Sequence, residues 1–354
     1  MQRHGDAHAR PFDRTTSSAV RQPGDRVIHR RRILLIAIGA GALAAPFTAL
    51  AQQKQRIYRI GILASGGSKL VGHLVEAFIQ GLRELGYVEG KNLLIDRRFG
   101  ENNLERLRAL AADLVRRRVD IILVAGTIAA QPAKQATSTI PIVFCNVHDP
   151  VGMGLVANLA RPGGNMTGIS NLAPELSAKR LELLKEAFPK TSRVAVIVSS
   201  EAATAIQFAE VQVAAKALGV ETIPVEMQRR DDFERAITRL REWRVNALFV
   251  IQTPTHFQNR KLLAEIAAKM RVPSVSSSEE FAEVGHVISY GPHLQTLYRH
   301  AASFVDKILK GAKPAELPVE QPTTFELVIN VKAAKALGLT IPQSILLRAD
   351  RVIE

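Results

Sequence analysis

The sequence predicts an α/β protein of two doubly wound parallel-sheet lobes joined by a hinge of several chain crossings, and three observations predict it. From Ile57 onward a short Ile/Val-rich run, a turn and an amphipathic helix recur in that order. A Gly/Pro-rich stretch, Asp149 to Asn165, interrupts the recurrence once. A strand and a long helix then follow late in the chain, where they can return to the first unit. The 354 residues exceed one typical domain of about 100–200 residues, so two lobes are also the expectation from length.

In the first unit, Arg59 to Ala64 reads as a strand, Leu70 to Leu85 as a helix closed by Gly86, and Asn92 to Arg98 as a strand. Leu104 to Arg117 follows as a helix, Asp120 to Val124 as a strand, Ile128 to Ala136 as a helix and Pro141 to Phe144 as a strand. Helix-length connections between consecutive strands make the sheet parallel. The second unit repeats the phrase with helices at Leu176–Ala187, Ala202–Leu218, Asp231–Trp243 and around Gln258–Met270. Its strands are Arg193–Val198, Glu221–Val225, Ala247–Ile251 and Val272–Ser276. The tail carries a strand at Val287–Tyr290, a helix at Leu294–Leu309, an extended Pro314–Thr323 piece and the apolar run Phe325–Ile329. The first lobe is accordingly assigned to 57–146 with about 285–312, and the second to 147–284 with about 313–354.

Ahead of these units, Arg30, Arg31 and Arg32 run into an apolar stretch from Ile33 that ends at Ala49-Leu50-Ala51. A basic segment, an apolar segment and a small-residue A-x-A site in that order form a secretory signal, with cleavage expected after Ala51. The run reaches the lower length limit of a membrane span, but Gly39, Gly41 and Pro46 favour cleavage. The Arg30-Arg31-x-Ile33-Leu34 order also resembles a twin-arginine signal. Residues 1–51 are therefore expected to be removed and the rest to work in the periplasm.

Net charge is +14, yet eight arginines and three aspartates precede Gln52, which leaves about +9 on the mature part. Its basic residues lie along helices beside Glu and Asp, so they read as solvated faces and nucleic acid is not an expected partner. The single cysteine, Cys145, cannot form an internal disulfide, and at the end of an apolar strand it reads as a buried small side chain.

In open α/β sheets ligands sit beyond the carboxyl ends of the strands. That places Ser65, Gly66 and Gly67, with Gly126 and Thr127, at the first lobe's candidate ligand-binding positions, with Arg98 and Phe99 as a wall. Small residues there let backbone N–H groups approach a carboxylate, and the two hydroxyls can donate to it. The second lobe offers Ser199, Ser200, Gln252, Thr253 and the run Ser276, Ser277 and Ser278, neutral groups suited to a small polar solute. Tyr290 could stack on a flat ligand or belong to the core.

His148 and Asp149 lie where the chain should first cross between lobes. They could form an acid/base couple, but with no orienting third group or nucleophile they read as hinge or capping residues, Asp149 remaining a candidate ligand contact. Gly61 to Lys69 misses the phosphate-loop order, because Lys69 follows Ser68 instead of preceding it. No spaced His/Cys cluster points to a metal, so neither cofactor nor metal is expected. Asp231 and Asp232 read as helix capping.

Several phrases then carry a resemblance across nearly the whole mature chain: GLRELGYVEGKN at 81–92, Gly126-Thr127, IPIVF at 140–144, DPV at 149–151 and LARPGGNMTG at 159–168. KRLELLK at 179–185, ILKGAKP at 308–314, LPVEQP at 317–322 and FELVIN at 325–330 continue it. Together they resemble the ABC transporter substrate-binding protein family with the type I periplasmic-binding fold, some of whose members bind tryptophan or phenylalanine. The resemblance implies a monomeric exported receptor that takes an amino acid-like solute between its lobes and hands it to a permease with its ATPase. A sensor subunit presenting ligand to a receptor kinase, and a periplasmic enzyme using His148 and Asp149, are the alternatives. At Ser278-Glu279-Glu280-Phe281 and Gly285-His286 the chain departs from the family's Arg-Glu-Phe and paired-glycine pattern. If that segment faces the cleft, the ligand differs from that of better-known relatives.

Overall fold

The computed structural model describes residues 56–171, 173–199, 202–227 and 232–354. The segment expected to be an export signal, Ser200 and Asp231 fall outside the described residues. No described helix is long and apolar enough to cross a membrane.

The first lobe is built on a five-stranded, wholly parallel sheet in the order β2-β1-β3-β4-β5. Its strands are β1 (Tyr58–Ala64), β2 (Leu93–Phe99), β3 (Ile121–Ala125), β4 (Ile142–His148) and β5 (Met166–Asn171). Its helices are α1 (Ser68–Glu84), α2 (Leu104–Arg116) and α3 (Ala130–Ala136), joined later by α10 (Leu294–Leu309). Side chains alternate across a strand, and the sheet uses both faces. Ile60, Ile62, Leu123 and Val143 meet Phe78 and Leu82 of α1 and Phe304 of α10. Leu63, Ile122, Val124 and Phe144 meet Leu107 and Leu114 of α2 and Ala133 of α3. Near-continuous apolar strands are what a parallel sheet covered on both faces requires.

The second lobe holds a seven-stranded sheet in the order β12-β11-β10-β9-β8-β6-β7. Its strands are β6 (Arg193–Val198), β7 (Glu221–Glu226), β8 (Ala247–Val250), β9 (Ser274–Ser276), β10 (Ile288–Gly291), β11 (Glu326–Asn330) and β12 (Arg351–Ile353). One face is covered by α4 (Ala173–Ala187), α5 (Ala202–Ala217), α11 (Val331–Ala336) and α12 (Gln343–Leu346). The other is covered by α6 (Asp232–Glu242), α7 (Pro254–Gln258), α8 (Arg260–Met270) and α9 (Glu279–Glu283). The sheet is parallel except where β10 meets β11 antiparallel. The doubly wound α/β expectation holds, and this reversal is a correction to a purely parallel sheet.

The chain crosses between lobes three times: between Asn171 and Ala173, between Gly291 and Leu294, and between Glu320 and Glu326. The structure places these crossings differently from the sequence boundaries. The first sheet does not end near 146: β5 extends it to Asn171, pairing with β4 along its length. The strand assigned to the first lobe within 285–312, β10, lies in the second sheet, and only α10 returns. Residues 314–320, assigned to the second lobe, bind the first, where Thr167 Oγ1 donates to Leu317 O at 2.7 Å and Val319 N donates to Leu159 O at 2.7 Å. The helix expected around Gln258 is two helices, because Thr253 caps an earlier one, accepting from His256 N at 3.1 Å with Pro254 at its start.

The return of α10 depends on one glycine. A Cβ on Gly81 of α1 would lie 2.3 Å from the backbone carbonyl oxygen of Arg299 and 2.9 Å from the Ala302 Cβ. Only hydrogen lets the two helices approach this closely. Gly81→Ala is therefore expected to lower unfolding free energy by about 1–3 kcal/mol, the range for overpacking a tight core, despite alanine's better helix propensity. Urea titration of the variant beside the parent measures it, and an unchanged or raised midpoint would contradict the packing.

Candidate functional site

Where the carboxyl ends of the first lobe's strands face the second lobe, residues from both line one cleft. Ser65 and Gly66 follow β1, Ala125, Gly126 and Thr127 follow the course of β3, and Asn146, His148 and Asn171 come from the ends of β4 and β5. Gln252, Thr253, Pro254 and Phe257 enter from the second lobe after β8. Leu70, Val71 and Leu74 of α1, with Leu294 and Tyr298 of α10, add an apolar and aromatic wall.

The local geometry is set by backbone needs. Gly126 turns the chain at φ +95°, and a Cβ there would lie 3.0 Å from Ser65 Oγ, so glycine both relieves the turn and leaves room for the hydroxyl. Ser65 Oγ accepts from Ala129 N at 3.1 Å, and Thr127 Oγ1 accepts from His148 N at 3.1 Å. Each hydroxyl thereby ties a loop in place and keeps its own hydrogen to donate. Asn146 sits at φ +58°, where the register between β4 and β5 shifts; asparagine is among the side chains that tolerate this region. Its Oδ1 accepts from Asn171 Nδ2 at 2.6 Å. Across the cleft Gln252 Oε1 accepts the Ser277 hydroxyl.

Ser65, Gly66, Gly126, Thr127, Gln252 and Thr253 are the expected positions that the structure brings together. Others lie elsewhere. The Asp149 carboxylate is exposed and accepts from Gly152 N at 2.8 Å, a turn contact that leaves His148 Nδ1 unpaired and no acid/base couple between them. Ser276 is buried in the second sheet, its hydroxyl directed to Ile288 O at 3.4 Å. Ser199 is buried, and its carbonyl accepts from Thr204 Oγ1 at 2.7 Å. Tyr290 packs against Phe325 with ring centres 6.0 Å apart, while its carbonyl accepts from Arg180 Nε at 2.7 Å. Arg98 pairs with Asp113 at 2.8 Å instead of forming a wall.

Asn146, Asn171, Tyr298 and Phe257 are cleft residues the sequence did not nominate. Asn171 was hidden because β5 was not recognised, and Tyr298 reads as core in an amphipathic helix. An asparagine just after an apolar strand was the available signal for Asn146.

The departing segment Ser278–His286 does not line the cleft. It lies at a contact between lobes, where Glu280 on α9 approaches His73 Nε2 on α1 at 3.7 Å. Leu70 of α1 also packs on the second-lobe cluster containing Phe257 and Phe281.

Among the described residues lining the cleft, none carries a formal charge when His148 is neutral. Loss of hydration, with the nearby Arg180 charge adding to it, pushes His148 down to about 4. Burial does the same to His286, also to about 4. Cys145 is fully buried and its thiol is pushed up by desolvation, the state of an inert side chain. Histidines whose folded pKa lies below the unfolded value of about 6.5 take up protons more readily in the unfolded chain. Stability is therefore complete above about pH 6.5 and falls as pH drops toward 4. Unfolding titrations at about pH 7 and about pH 5 are expected to show this loss, and to show a smaller one in the His148→Gln, His286→Gln double variant.

Comparison with known proteins agrees with this architecture. The family model described as ABC transporter substrate binding protein matches residues 67–353. The chain is 30% identical over 284 residues to a tyrosine-binding protein of Clostridioides difficile, covering 77% of this chain and 80% of that protein. A solved conserved domain protein of Vibrio cholerae superposes with a TM-score of 0.79 at 28% identity, covering 84% of this chain and 100% of the other. An ABC domain from Streptococcus pneumonia in complex with L-Trp gives a TM-score of 0.78 at 28% identity, with the same coverage. With two α/β lobes, three crossings and the strand-end cleft in place, the chain belongs to the ABC transporter substrate-binding protein family.

Proposed function

We propose that this chain is an exported, monomeric receptor that captures an amino acid, most closely an aromatic one, between its lobes and delivers it to a membrane permease with its ATPase. The observation that carries the reading is the convergence of strand-end residues from both lobes on one cleft. Neutral hydrogen-bonding groups there, Ser65, Thr127, Gln252 and Thr253, stand beside the apolar wall of Leu70, Leu74, Phe257 and Tyr298. That combination fits a solute with a polar end and a flat apolar end. Relatives with tyrosine and tryptophan in their descriptions support the aromatic class. Binding without chemistry accords with Asp149 being engaged at Gly152 and with a neutral His148 whose ring Nδ1 has no hydrogen-bond partner. The signal-like segment before Gln52 supports the periplasm as the working compartment.

Three crossings let two rigid sheets rotate about short segments, and a solute touching both lobes stabilises the arrangement in which they meet. Isothermal calorimetry and thermal shift with L-tyrosine, L-tryptophan, sugars and polyamines test the reading. An aromatic amino acid is expected to bind and raise the melting temperature by mass action. Thr127→Ala combined with Gln252→Ala, one donor from each lobe, is expected to weaken that binding by roughly tenfold or more, at about 0.5–1.5 kcal/mol per hydrogen bond. A shift with sugars or polyamines alone would replace the amino acid assignment.

A further inference from the structure

Three donor side chains outside the cleft converge where the chain crosses between the lobes. A carboxylate oxygen of Glu279, Nε2 of His293 and a carboxylate oxygen of Glu326 lie within 4.8 Å of one another. Glu279 opens α9, His293 caps α10 at the second crossing, and Glu326 begins β11 after the third. Close backbone packing brings them together. Gly291 pairs with Glu326 across β10 and β11, and a Cβ on Gly291 would lie 1.9 Å from Ser277 O. Only glycine lets the strand end that precedes His293 sit against the turn that leads into Glu279.

The spacing and charge of this cluster suit a cation. Glu279 Oε1 stands 3.3 Å from His293 Nε2, the separation of two ligands that are each about 2.0–2.1 Å from a tetrahedral zinc. Thr296 holds His293 Nδ1, its hydroxyl at 2.8 Å and its N–H at 3.2 Å, which orients the ring and leaves Nε2 to the carboxylates. Glu279 and His293 have side chains 16% and 37% exposed, and Glu326 is half-buried. Negative charge is in excess here. Arg351 reaches Glu279 Oε2 at 2.6 Å and Glu283 Oε1 at 3.0 Å, so its charge is shared between two carboxylates and Glu279 Oε1 is left to His293. The Glu326 carboxylate makes no ion pair among the described residues. Desolvation, with the charges of Glu279 and Asp350 beside it, holds the Glu326 carboxyl above the ordinary range. A divalent cation at the point of convergence offsets both the repulsion and the lost hydration.

We propose that Glu279, His293 and Glu326 form a divalent-cation site at the hinge, selective for zinc, with water completing a tetrahedron. One imidazole with two carboxylates is a donor set that zinc accepts. The ion joins α10, which packs in the first lobe, to two positions of the second, and so braces the second and third crossings against each other. The site does not depend on which solute the cleft takes. It also gives a role to the segment Ser278–His286, which departs from the family pattern and does not line the cleft, because that segment supplies Glu279. Its ligands are far apart in the sequence, so no local motif announces it.

The full chain is stripped with EDTA, dialysed and titrated calorimetrically with zinc chloride alone. A saturable zinc site is expected in the parent. His293→Asn keeps a capping side chain for α10 and removes Nε2, while Glu326→Gln keeps shape and removes the charge. Each is expected to weaken zinc binding by at least about tenfold, since even a residue that only orients a ligand is worth about 10–100-fold. Metal-free melting curves check that both variants fold. His300→Asn, which breaks an exposed pair with Glu320 on the same helix, is expected to leave zinc binding unchanged. Absence of a saturable zinc site in the parent would overturn the proposal. So would a loss below tenfold in either ligand variant, or a loss in His300→Asn as large as theirs.

Discussion

Helices α1 and α10 touch through the missing side chain of Gly81, and this contact is what makes the molecule two interleaved lobes instead of two domains in series. The chain has already completed most of the second sheet when α10 leaves it, so packing α10 on α1 obliges a second crossing and then a third. The burial of Phe304, Tyr298, Leu297 and Val305 against Phe78 and Leu82 supplies the driving force. Gly81 supplies the distance. Without the return of α10, Tyr298 and Leu294 would also be missing from the cleft wall.

The same architecture explains why a cleft forms where it does. Parallel strands all finish at one edge of a sheet, and their backbone groups there are not used by the ladder. The two lobes turn these edges toward each other, so the small and hydroxylic residues after β1, β3 and β8 come to share one space. Their hydroxyls serve twice. Ser65, Thr127 and Thr253 each accept a backbone N–H that shapes a loop, and each remains a donor toward the cleft. Preorganisation of this kind lowers the entropy lost on binding, because the groups that meet the solute are already held.

Charge stands behind the cleft wall, with the buried Arg180 acting on His148, and not among the lining residues themselves. Ion pairs such as Arg98 with Asp113 and Arg351 with Glu279 lie away from the cleft, which is lined by uncharged groups among the described residues. A partly buried neutral histidine among amides and hydroxyls gives the cleft a polar, uncharged lining.

The sequence by itself determined the repeated strand and helix phrase, the two α/β sheets though not the antiparallel pairing of β10 with β11, and six of the cleft positions. Those features follow from local rules: hydrophobic period, glycine at turns and small residues after strands. Tertiary structure decided the rest. Met166–Asn171 becomes a strand because β4 offers an edge and the helices beneath are apolar, although its Gly168 and Asn171 give little local signal. Val287–Tyr290 was legible as a strand, but its sheet was not, since membership depends on β9 and β11, whose partners lie far along the chain. Asp149, Ser276 and Tyr290 stand at plausible strand ends and were drawn into a turn, a sheet interior and an aromatic pair by neighbours no local pattern names. Asn171 went unnamed for the same reason: it reaches the cleft only because β5 packs beside β4, and no local pattern names that pairing.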